Sequence, residues 1–294
     1  RLQDNPTIEI GMNERFIFNI VSGASVMNVA GQDGDLYPAL PALTDVSEFT
    51  LPQDSLRGMI EKTQFAIAVD DAREVLTGAL LEISGGDATM VALDGFRMAY
   101  KREKVSDVMD VIRAIIPGRV VGDLAKLLSG GEDAFATLAF SGNDRLQIRL
   151  EKTDVYVTLI SGEYINYRRL LPTSFKMRAV AALEPLRQCI DRAALMARES
   201  SSNLLRFHLA DGILEIDSNS QIGDAHEEMP LEEMEGGELT IAFNVRYMQD
   251  VVRTMDCEKI ILNFNDSLSP CVITPADDLD YVHLVLPVRT GYSS

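Results

Sequence analysis

The sequence lacks any stretch of about 18 uncharged apolar residues, which is the length that a membrane-spanning helix requires. Its first residues, Arg1–Asp4, also lack the basic and then apolar order of a signal peptide. Its only cysteines, Cys189, Cys257 and Cys271, are odd in number and widely spaced, which excludes a disulfide framework and a metal knuckle. These absences predict a cytoplasmic globular protein with reduced cysteines and no membrane partner.

Basic residues are also scarce. Lys and Arg number 27 against 45 Asp and Glu, so the formal net charge is −18. Binding to nucleic acid needs Lys and Arg to replace the counterions of the phosphates, and the average charge therefore argues against such a partner. The chain of 294 residues, 46% of them hydrophobic, is long enough for roughly two ordinary domains.

Motifs for catalysis or cofactor binding are missing. There is no glycine-rich phosphate loop, no HExxH and no serine or cysteine motif with a nearby base. Asp94-Gly95 is typical of a turn between strands rather than of a catalytic aspartate. The sequence thus predicts a non-catalytic protein without a cofactor or metal. A metal-dependent hydrolase stays an alternative if His226, Glu227 and Glu228 converge with another ligand, although these residues are more typical of a solvated loop.

The chain does contain an internal repeat. A pattern that starts at Ile8 recurs from Leu138, at an offset of 130 residues, and more weakly from Ile260. In each copy, alternating apolar residues flank a short step of asparagine and acid, such as Asn13-Glu14 and Asn143-Asp144. This pattern is typical of a β-hairpin with one buried face.

Helical patterns repeat as well. Arg119-x3-Asp123-x2-Lys126 recurs as Arg246-x3-Asp250-x2-Arg253, and apolar residues around Leu56 and Leu186 fall on one helical face. Each complete repeat is therefore predicted to hold two helices and about eight short strands. The predicted helices lie within residues 51–66, 117–130, 182–198 and 244–255.

The repeats divide the chain into three parts. Residues 1–48 hold the closing strands of a first repeat, and residues 49–172 and 173–294 are the complete second and third repeats. A half-repeat of strands would expose an unpaired apolar edge, which proteins avoid. We therefore expect about 75 further residues before residue 1 in the intact protein, by comparison of the repeat lengths.

Six short motifs occur in one order along these repeats: Phe49–Pro52, Ala92–Ala99, Ile116–Arg119, Tyr167–Pro172, Phe243–Val245 and Leu286–Arg289. On these motifs the chain resembles the bacterial DNA polymerase III β subunit family, the sliding clamps of replication. The resemblance implies an α+β fold of repeated clamp domains, each with two helices packed on antiparallel sheets, in a pseudo-symmetric ring segment. It also implies a head-to-tail homodimer that encircles double-stranded DNA without sequence preference and makes the replicative polymerase processive.

The basic residues of the four predicted helices are the candidates for a DNA channel. These helices carry nine basic and six acidic residues, a net charge of +3 within a chain of −18. Such a mixed lining suits weak, sequence-independent contact with the DNA backbone. Alternatively, Arg57 and Glu61 and the three corresponding pairs are ordinary i, i+4 ion pairs of solvated helices. The predicted channel residues are Arg57, Lys62, Arg119, Lys126, Arg187, Arg192, Arg198, Arg246 and Arg253.

The resemblance further implies a cleft between the second and third repeats. In the family such a cleft receives short peptides from the polymerase α subunit, the clamp-loader δ subunit, other polymerases and repair proteins. Carried over by position, its apolar part is Leu76, Leu93, Gly95, Arg97, Met98, Ile165, Arg169, Leu170, Leu284 and Leu286, and its shallower part is Asn244, Tyr247, Leu268, Pro270, Pro287, Val288 and Arg289.

Several residues depart from the family pattern. Leu93, Phe96 and Ile165 stand where the family often has threonine, histidine and proline, so the cleft is expected to be more apolar. The tail Thr290–Ser294 runs further than is common and could either crowd the mouth of the cleft or extend freely from it.

Two alternatives accompany these expectations. A repeat-built scaffold that binds peptides but not DNA is the alternative function, and simple core packing is the alternative role of Leu76 and Leu284. For ring closure, we expect the first repeat to pair with an edge of the third repeat near Leu204–Phe207.

Overall fold

The computed structural model describes residues 7–70, 72–105, 111–131, 133–142 and 144–289. The chain forms two compact parts, residues 1–42 and the main body from Leu43 onward. Asn143 of the hairpin motif and the tail Thr290–Ser294 lie outside the described residues. No helix among the described residues is long and apolar enough to cross a membrane.

The N-terminal part holds a three-stranded antiparallel sheet in the order β1-β2-β3. In the turn between the first two strands, the side chain of Asn13 accepts hydrogen bonds from the backbone N–H groups of Arg15 and Ile17, both at 3.0 Å. The hairpin predicted from the asparagine step is therefore present here. The strands are β1 (Glu9–Met12), β2 (Ile17–Ser22) and β3 (Ser25–Ala30).

The described residues of the second repeat form the expected two helices and eight strands. Its first strand begins at Val46 and pairs with the strand Phe135–Ser141 along its whole length, so the boundary predicted between residues 48 and 49 lies within a strand. The elements are β4 (Val46–Pro52), α1 (Gln53–Glu61), β5 (Gly78–Ser84), β6 (Asp87–Leu93), β7 (Arg97–Lys104), β8 (Ile112–Pro117), α2 (Gly118–Leu127), β9 (Phe135–Ser141), β10 (Arg145–Arg149) and β11 (Asp154–Thr158).

The third repeat follows the same order with one additional short strand. Its elements are β12 (Met177–Ala182), α3 (Leu183–Ala197), β13 (Leu204–Ala210), β14 (Ile213–Ser220), β15 (Gly223–Pro230), β16 (Glu233–Glu235), β17 (Leu239–Asn244), α4 (Val245–Thr254), β18 (Lys259–Phe264), β19 (Cys271–Pro275) and β20 (Tyr281–Val285).

One long sheet joins the second and third repeats. It has nine strands in the order β16-β12-β18-β19-β20-β7-β6-β5-β8, and the junction is the antiparallel pair β20 and β7. Leu284 lies opposite Met98 and Val282 opposite Tyr100 at this junction. Two four-stranded sheets, β11-β10-β9-β4 and β15-β14-β13-β17, complete the repeats. The predicted α+β fold of helices packed on antiparallel sheets is confirmed.

The helices bury the faces that their spacing predicts. Leu56, Met59 and Ile60 of α1 are fully buried, as are Leu186 and Ile190 of α3. These side chains belong to two cores, one beneath each helix pair, because apolar residues three and four positions apart share one side of a helix. A third apolar cluster lies at the junction of the two repeats.

Two expectations about individual segments are wrong. Leu204–Phe207 is not a sheet edge, because β13 has β14 on one side and β17 on the other. In that sheet β15 has a single neighbour, β14, among the described residues. His226 lies within β15 and not in a loop.

Candidate functional site

The predicted channel arginines that begin the second helix of each repeat are the least engaged. Arg119 of α2 and Arg246 of α4 occupy corresponding positions, and both are exposed. Neither makes an ion pair within the described part of the chain. Their guanidinium groups are therefore available to an external anion.

Other channel candidates are held by acidic neighbours. Arg57 contacts Glu61 at 3.2 Å, Lys126 contacts Asp123 at 3.0 Å, and Arg253 lies 3.6 Å from Asp191 of the adjacent helix. Because these pairs are largely solvated, each one contributes only a few tenths of a kcal/mol to stability. The cations remain accessible, but a neighbouring carboxylate weakens their attraction to phosphate.

Three further candidates for the DNA channel contact other parts of the protein. Arg187 donates hydrogen bonds to the carbonyl oxygen of Val252 at 2.9 and 3.2 Å and so caps the last turn of α4. Lys62 lies 5.1 Å from the ring centre of Tyr281, and Arg192 donates from Nε to Glu227 of β15 at 2.9 Å. Their contacts are structural, so these three residues are weaker candidates for binding DNA.

Of the four i, i+4 ion pairs that the alternative explanation of the charged helices requires, only Arg57 and Glu61 form one among the described residues. Arg187 pairs instead with Glu184 at 2.9 Å, one turn earlier in α3. Asp250 is engaged by Arg97 from the second repeat, 153 residues away in sequence, and not by Arg246. A tertiary contact of this kind replaces the local pair and leaves Arg246 without an ion-pair partner among the described residues.

Four of the predicted cleft residues are buried. Leu76, Leu93, Met98 and Leu284 pack in the apolar cluster at the junction of the repeats and expose 4% or less of their surface. Ile165 and Leu286 pack against the same cluster and are partly exposed. The buried side chains can therefore form only the floor beneath a bound peptide in this conformation.

The exposed cleft residues come from three segments. Leu170 belongs to a 3₁₀ turn, Tyr167–Leu170, while Leu268 follows β18 and Val288 follows β20. The C-terminal segment is fixed by two hydrogen bonds, from the N–H of Leu286 to the carbonyl of Phe96 at 2.9 Å and from the N–H of Val288 to the carbonyl of Ala242 at 2.8 Å. The remaining predicted residues, Gly95, Arg169, Asn244, Pro270, Pro287 and Arg289, are exposed or partly exposed.

The turn between β6 and β7 carries an exposed aromatic ring. Asp94 accepts hydrogen bonds from the N–H groups of Phe96 at 2.9 Å and Arg97 at 3.0 Å, and Gly95 has a φ of +89° that a side chain would strain. Phe96 exposes 60% of its surface and stacks on Tyr247 with the ring centres 6.4 Å apart. Asp94-Gly95 therefore forms the predicted turn.

Arg97 has its donors occupied by protein groups. Its guanidinium donates to Asp94 at 3.0 Å, to Asp250 of α4, and to the carbonyl oxygen of Phe65 at 2.6 Å. It also lies 4.6 Å from the ring centre of Tyr247. Arg97 thus ties the β6–β7 turn to α4 and orders the cleft from beneath. Sequence reasoning missed Asp250 and the carbonyl of Phe65 as acceptors because both are distant from Arg97 in the chain, whereas Asp94 lies three residues before it in the same motif.

Glu82 of β5 is a further residue that the sequence did not identify. Its buried carboxylate accepts from Arg113 at 2.9 Å and from both terminal nitrogens of Arg168, which precedes Leu170 in the 3₁₀ turn. Burial by itself would raise the pKa of Glu82, but the hydrogen bonds and charges of the two arginines outweigh it and lower the pKa. The ionised carboxylate therefore anchors the turn that carries the cleft rim.

A cavity of about 740 Å³ lies beside this anchor, between β8 and the segment that follows β11. Its walls include Arg113, Arg168, Ile160, Tyr164 and Ile165. Ile165 is the predicted cleft residue that borders it.

The alternative of a metal centre finds no geometric support in β15. His226 contacts Asp217 at 2.7 Å and Glu228 at 3.0 Å, whereas Glu227 lies on the opposite face of the strand and pairs with Arg192. Alternate residues of a strand point to opposite faces, so Glu227 cannot join the other two. No group of three or more potential metal ligands occurs among the described residues.

Comparison with known families gives two adjacent matches. Residues 50–166 match the central domain of the DNA polymerase III beta subunit, and residues 168–289 match its C-terminal domain. The beta sliding clamp of Staphylococcus aureus is 30% identical over 284 residues, which cover 96% of this chain and 75% of that protein. The beta sliding clamp of Halalkalibacterium halodurans is 33% identical over 288 residues, with the same coverage.

Solved structures give the same result. The DNA polymerase sliding clamp of Bacillus subtilis superposes with a TM-score of 0.92 at 28% identity, covering 98% of this chain and 77% of that one. A sliding clamp of Pseudomonas aeruginosa bound to griselimycin superposes with a TM-score of 0.89 at 28% identity, and the match covers 96% of this chain and 76% of that one. Sequence, repeat architecture and fold agree, and the chain belongs to the DNA polymerase III beta subunit family, the bacterial sliding clamps.

Proposed function

We propose that the chain works as a processivity clamp, which encircles duplex DNA as a head-to-tail dimer and tethers the replicative polymerase. As a member of its family it is a non-catalytic subunit of the replication machinery. The observation that carries the proposal is the junction between the second and third repeats, where a strand of each repeat pairs to make one continuous sheet. Repetition of that junction would close a ring.

The repeats indicate which strands would close the ring. Within the chain, β20 of the third repeat pairs with β7 of the second. By position in the repeats, β3 corresponds to β20 and β15 corresponds to β7. We therefore propose that β3 of one copy pairs with β15 of a second copy, in place of the edge expected near Leu204–Phe207.

Ring closure can be tested at the edge of β15. Ser220 and Gly223 flank a two-residue turn, so the N–H groups of residues 224, 226 and 228 point away from β14. Glu228→Pro removes one of these outward donors and leaves the pairing with β14 intact. Light scattering on the intact protein should give a dimer for the wild type and a monomer for the variant. An unchanged dimer with an unchanged Tm would contradict the proposed edge.

The DNA contact would be made by the exposed cations of the helices. Arg119 and Arg246 have no ion-pair partner in the described part of the chain, and Lys126 and Arg253 are only partly neutralised by nearby acids. Such donors attract phosphate without reading base edges, and a ring held topologically needs little affinity. Arg57 and Arg198 are expected to contribute less to DNA binding. The smallest contributions are expected from Arg187, Arg192 and Lys62, because their side chains are engaged in structural contacts.

The DNA function can be tested by retention on a circle. The clamp is placed on nicked circular DNA by a clamp loader, separated from free protein, and followed before and after the DNA is linearised. Retention that ends on linearisation supports an encircling ring. Equal retention on both forms contradicts it, and peptide binding without retention would favour the alternative of a scaffold that does not bind DNA.

The peptide cleft would receive short extended segments from the polymerase α subunit, the clamp-loader δ subunit, other polymerases and repair proteins. An apolar floor with an exposed rim of Phe96, Leu170, Leu286 and Val288 suits such a ligand. We expect these encounters in the cytoplasm, where a bacterial chromosome is replicated.

The cleft can be tested with a polymerase tail peptide that contains glutamine and leucine. Leu170→Asp or Leu286→Asp should weaken its binding by at least about tenfold, since each apolar side chain contributes about 1.5 kcal/mol or more on burial. Leu279→Asp, the same change at an exposed leucine outside the cleft, is the control. Unaltered affinity in both cleft variants would refute the assigned site.

A further inference from the structure

A polar cavity of about 540 Å³ lies between the end of α3 and the exposed face of α4. We name it the α3–α4 cavity. Except for the buried Val245, its walls are polar, so it offers no apolar socket to hold a peptide side chain. The side chains that could donate hydrogen bonds into it are Arg198, Asn203, Asn244, Arg246, Gln249 and Arg253.

The cations of this cavity exceed the acids that face them. Arg246 has no ion-pair partner among the described residues, and Arg198 donates to the neutral amide oxygen of Gln249 at 2.7 Å. Arg253 lies 3.6 Å from Asp191, whose carboxylate also accepts from Gln249. The cavity is therefore positively charged even when Asp191 is counted.

The one acid in the cavity wall is neutralised from behind. Asp250 bonds the guanidinium of Arg97, which reaches it from the β6–β7 turn of the other repeat. A carboxylate paired in this way repels an incoming anion less than a free one does. Arg97 thus preserves the positive charge of the cavity without entering it.

The second repeat lacks the same arrangement. At the 130-residue offset that relates Arg187 to Arg57, the counterpart of Arg198 is Ala68. At the 127-residue offset that relates Arg246 to Arg119, the counterpart of Asn244 is Pro117. The counterparts of Arg246 and Arg253 are Arg119 and Lys126, so the second repeat keeps two of the three cations but only one of the three guanidinium groups, and the two repeats differ in their capacity to bind an anion.

We propose that the α3–α4 cavity binds one phosphate group of the DNA backbone and that the third repeat holds DNA more firmly than the second. This inference rests on the proposed function, because it takes the helices to face duplex DNA. Guanidinium groups that converge without an apolar socket suit a phosphodiester, to which they donate charge-assisted hydrogen bonds. A cluster of this kind would give the otherwise diffuse channel one preferred point of contact.

The test measures equilibrium binding of a short fluorescein-labelled duplex by anisotropy at increasing salt. Arg198→Gln and Arg246→Gln should each weaken binding about tenfold at low salt, as expected for the loss of one charge-assisted hydrogen bond. The slope of log K against log salt should become shallower by about 0.9 if the phosphate contact is lost. Arg119→Gln, the counterpart in the second repeat, should have a smaller effect.

The control is Arg145→Gln, an equal loss of charge on a strand of the second repeat. If the wild type binds duplex and the two cavity variants behave like this control, the inference is wrong while the proposed function stands. If the wild type is not retained on circular DNA, the proposed function fails first. If a glutamate-rich peptide binds and loses affinity in the cavity variants while duplex binding is unchanged, the cavity is a site for acidic peptides and the proposal is wrong.

Discussion

The buried imidazole of His283 gives this chain a stability that depends on pH in a calculable way. The ring stacks on Phe65, with centres 5.6 Å apart, and meets Tyr281 edge-on at 4.4 Å. Neither ring nitrogen has a hydrogen-bond partner among the described residues. Burial, and then the charges of Arg97 and Lys62, lowers the pKa of His283 from 6.5 to about 3.

The sign and size of the effect follow from this pKa. Below pH 6.5 the unfolded chain binds a proton at His283 that the folded chain excludes, so the free energy of unfolding falls as the pH decreases from 6.5 towards 3. The full difference in pKa corresponds to about 5 kcal/mol, of which about 2 kcal/mol is lost at pH 5. The loss would be fully recovered above pH 6.5.

The assay is urea unfolding of the wild type and of His283→Phe at pH 7 and pH 5. Phenylalanine keeps a planar ring and removes the titrating group. Any change in packing alters the free energy of unfolding by the same amount at pH 7 and at pH 5, so it cancels in the comparison. The wild type should therefore lose about 2 kcal/mol more than the variant between pH 7 and pH 5. An equal loss in both proteins would refute the reasoning, since it would show that His283 is protonated without cost to the fold.

Three further predictions concern other polar contacts. His226, whose pKa is raised to about 9 by the hydrogen bonds that its ring donates to Glu228 and Asp217, should stabilise the fold below pH 6.5 and lose that contribution as the pH rises through about 9, so His226→Gln should flatten the Tm profile between those values. Glu82→Gln should weaken peptide binding severalfold by releasing the rim turn, while retention on circular DNA stays unchanged; equal loss of both activities would indicate general unfolding. Arg97→Lys should lower the free energy of unfolding by about 2 kcal/mol in urea, because lysine cannot bond three acceptors at once, and an unchanged value would show that those contacts are dispensable.

Much of the fold follows from local patterns in the sequence. The spacing of Leu56, Met59 and Ile60 predicts a helical face that is buried, and the asparagine step at Asn13 predicts a hairpin turn. Both signals depend on residues within a few positions of each other. The offsets between the repeats then extend such local predictions to segments with weaker patterns, since corresponding positions fold alike.

The long-range contacts could not be predicted in this way. Asp250 looks like the helical partner of Arg246, but the protein pairs it with Arg97, and no local pattern signals a contact over 153 residues. The placement of Leu76 and Leu93 has a similar cause. The sequence does not distinguish an apolar residue that lines a cleft from one that lies buried beneath it. The packing of the two repeats against each other determines which of these positions the side chain takes.

The net charge of −18 is compatible with a role on DNA. The acids beside the exposed cations of the helices reduce the attraction between those cations and DNA phosphates but do not abolish it. Asp123 and Asp191 lie beside Lys126 and Arg253, so we expect those cations to bind phosphate weakly, whereas the charge of Asp250 is paired with Arg97. Opposed charges of this kind weaken the attraction of these two cations to a phosphate, and with it the energy barrier to movement from one phosphate to the next. A ring needs such a surface in order to move along DNA, and the −18 of the whole chain discourages contact with DNA at any other face.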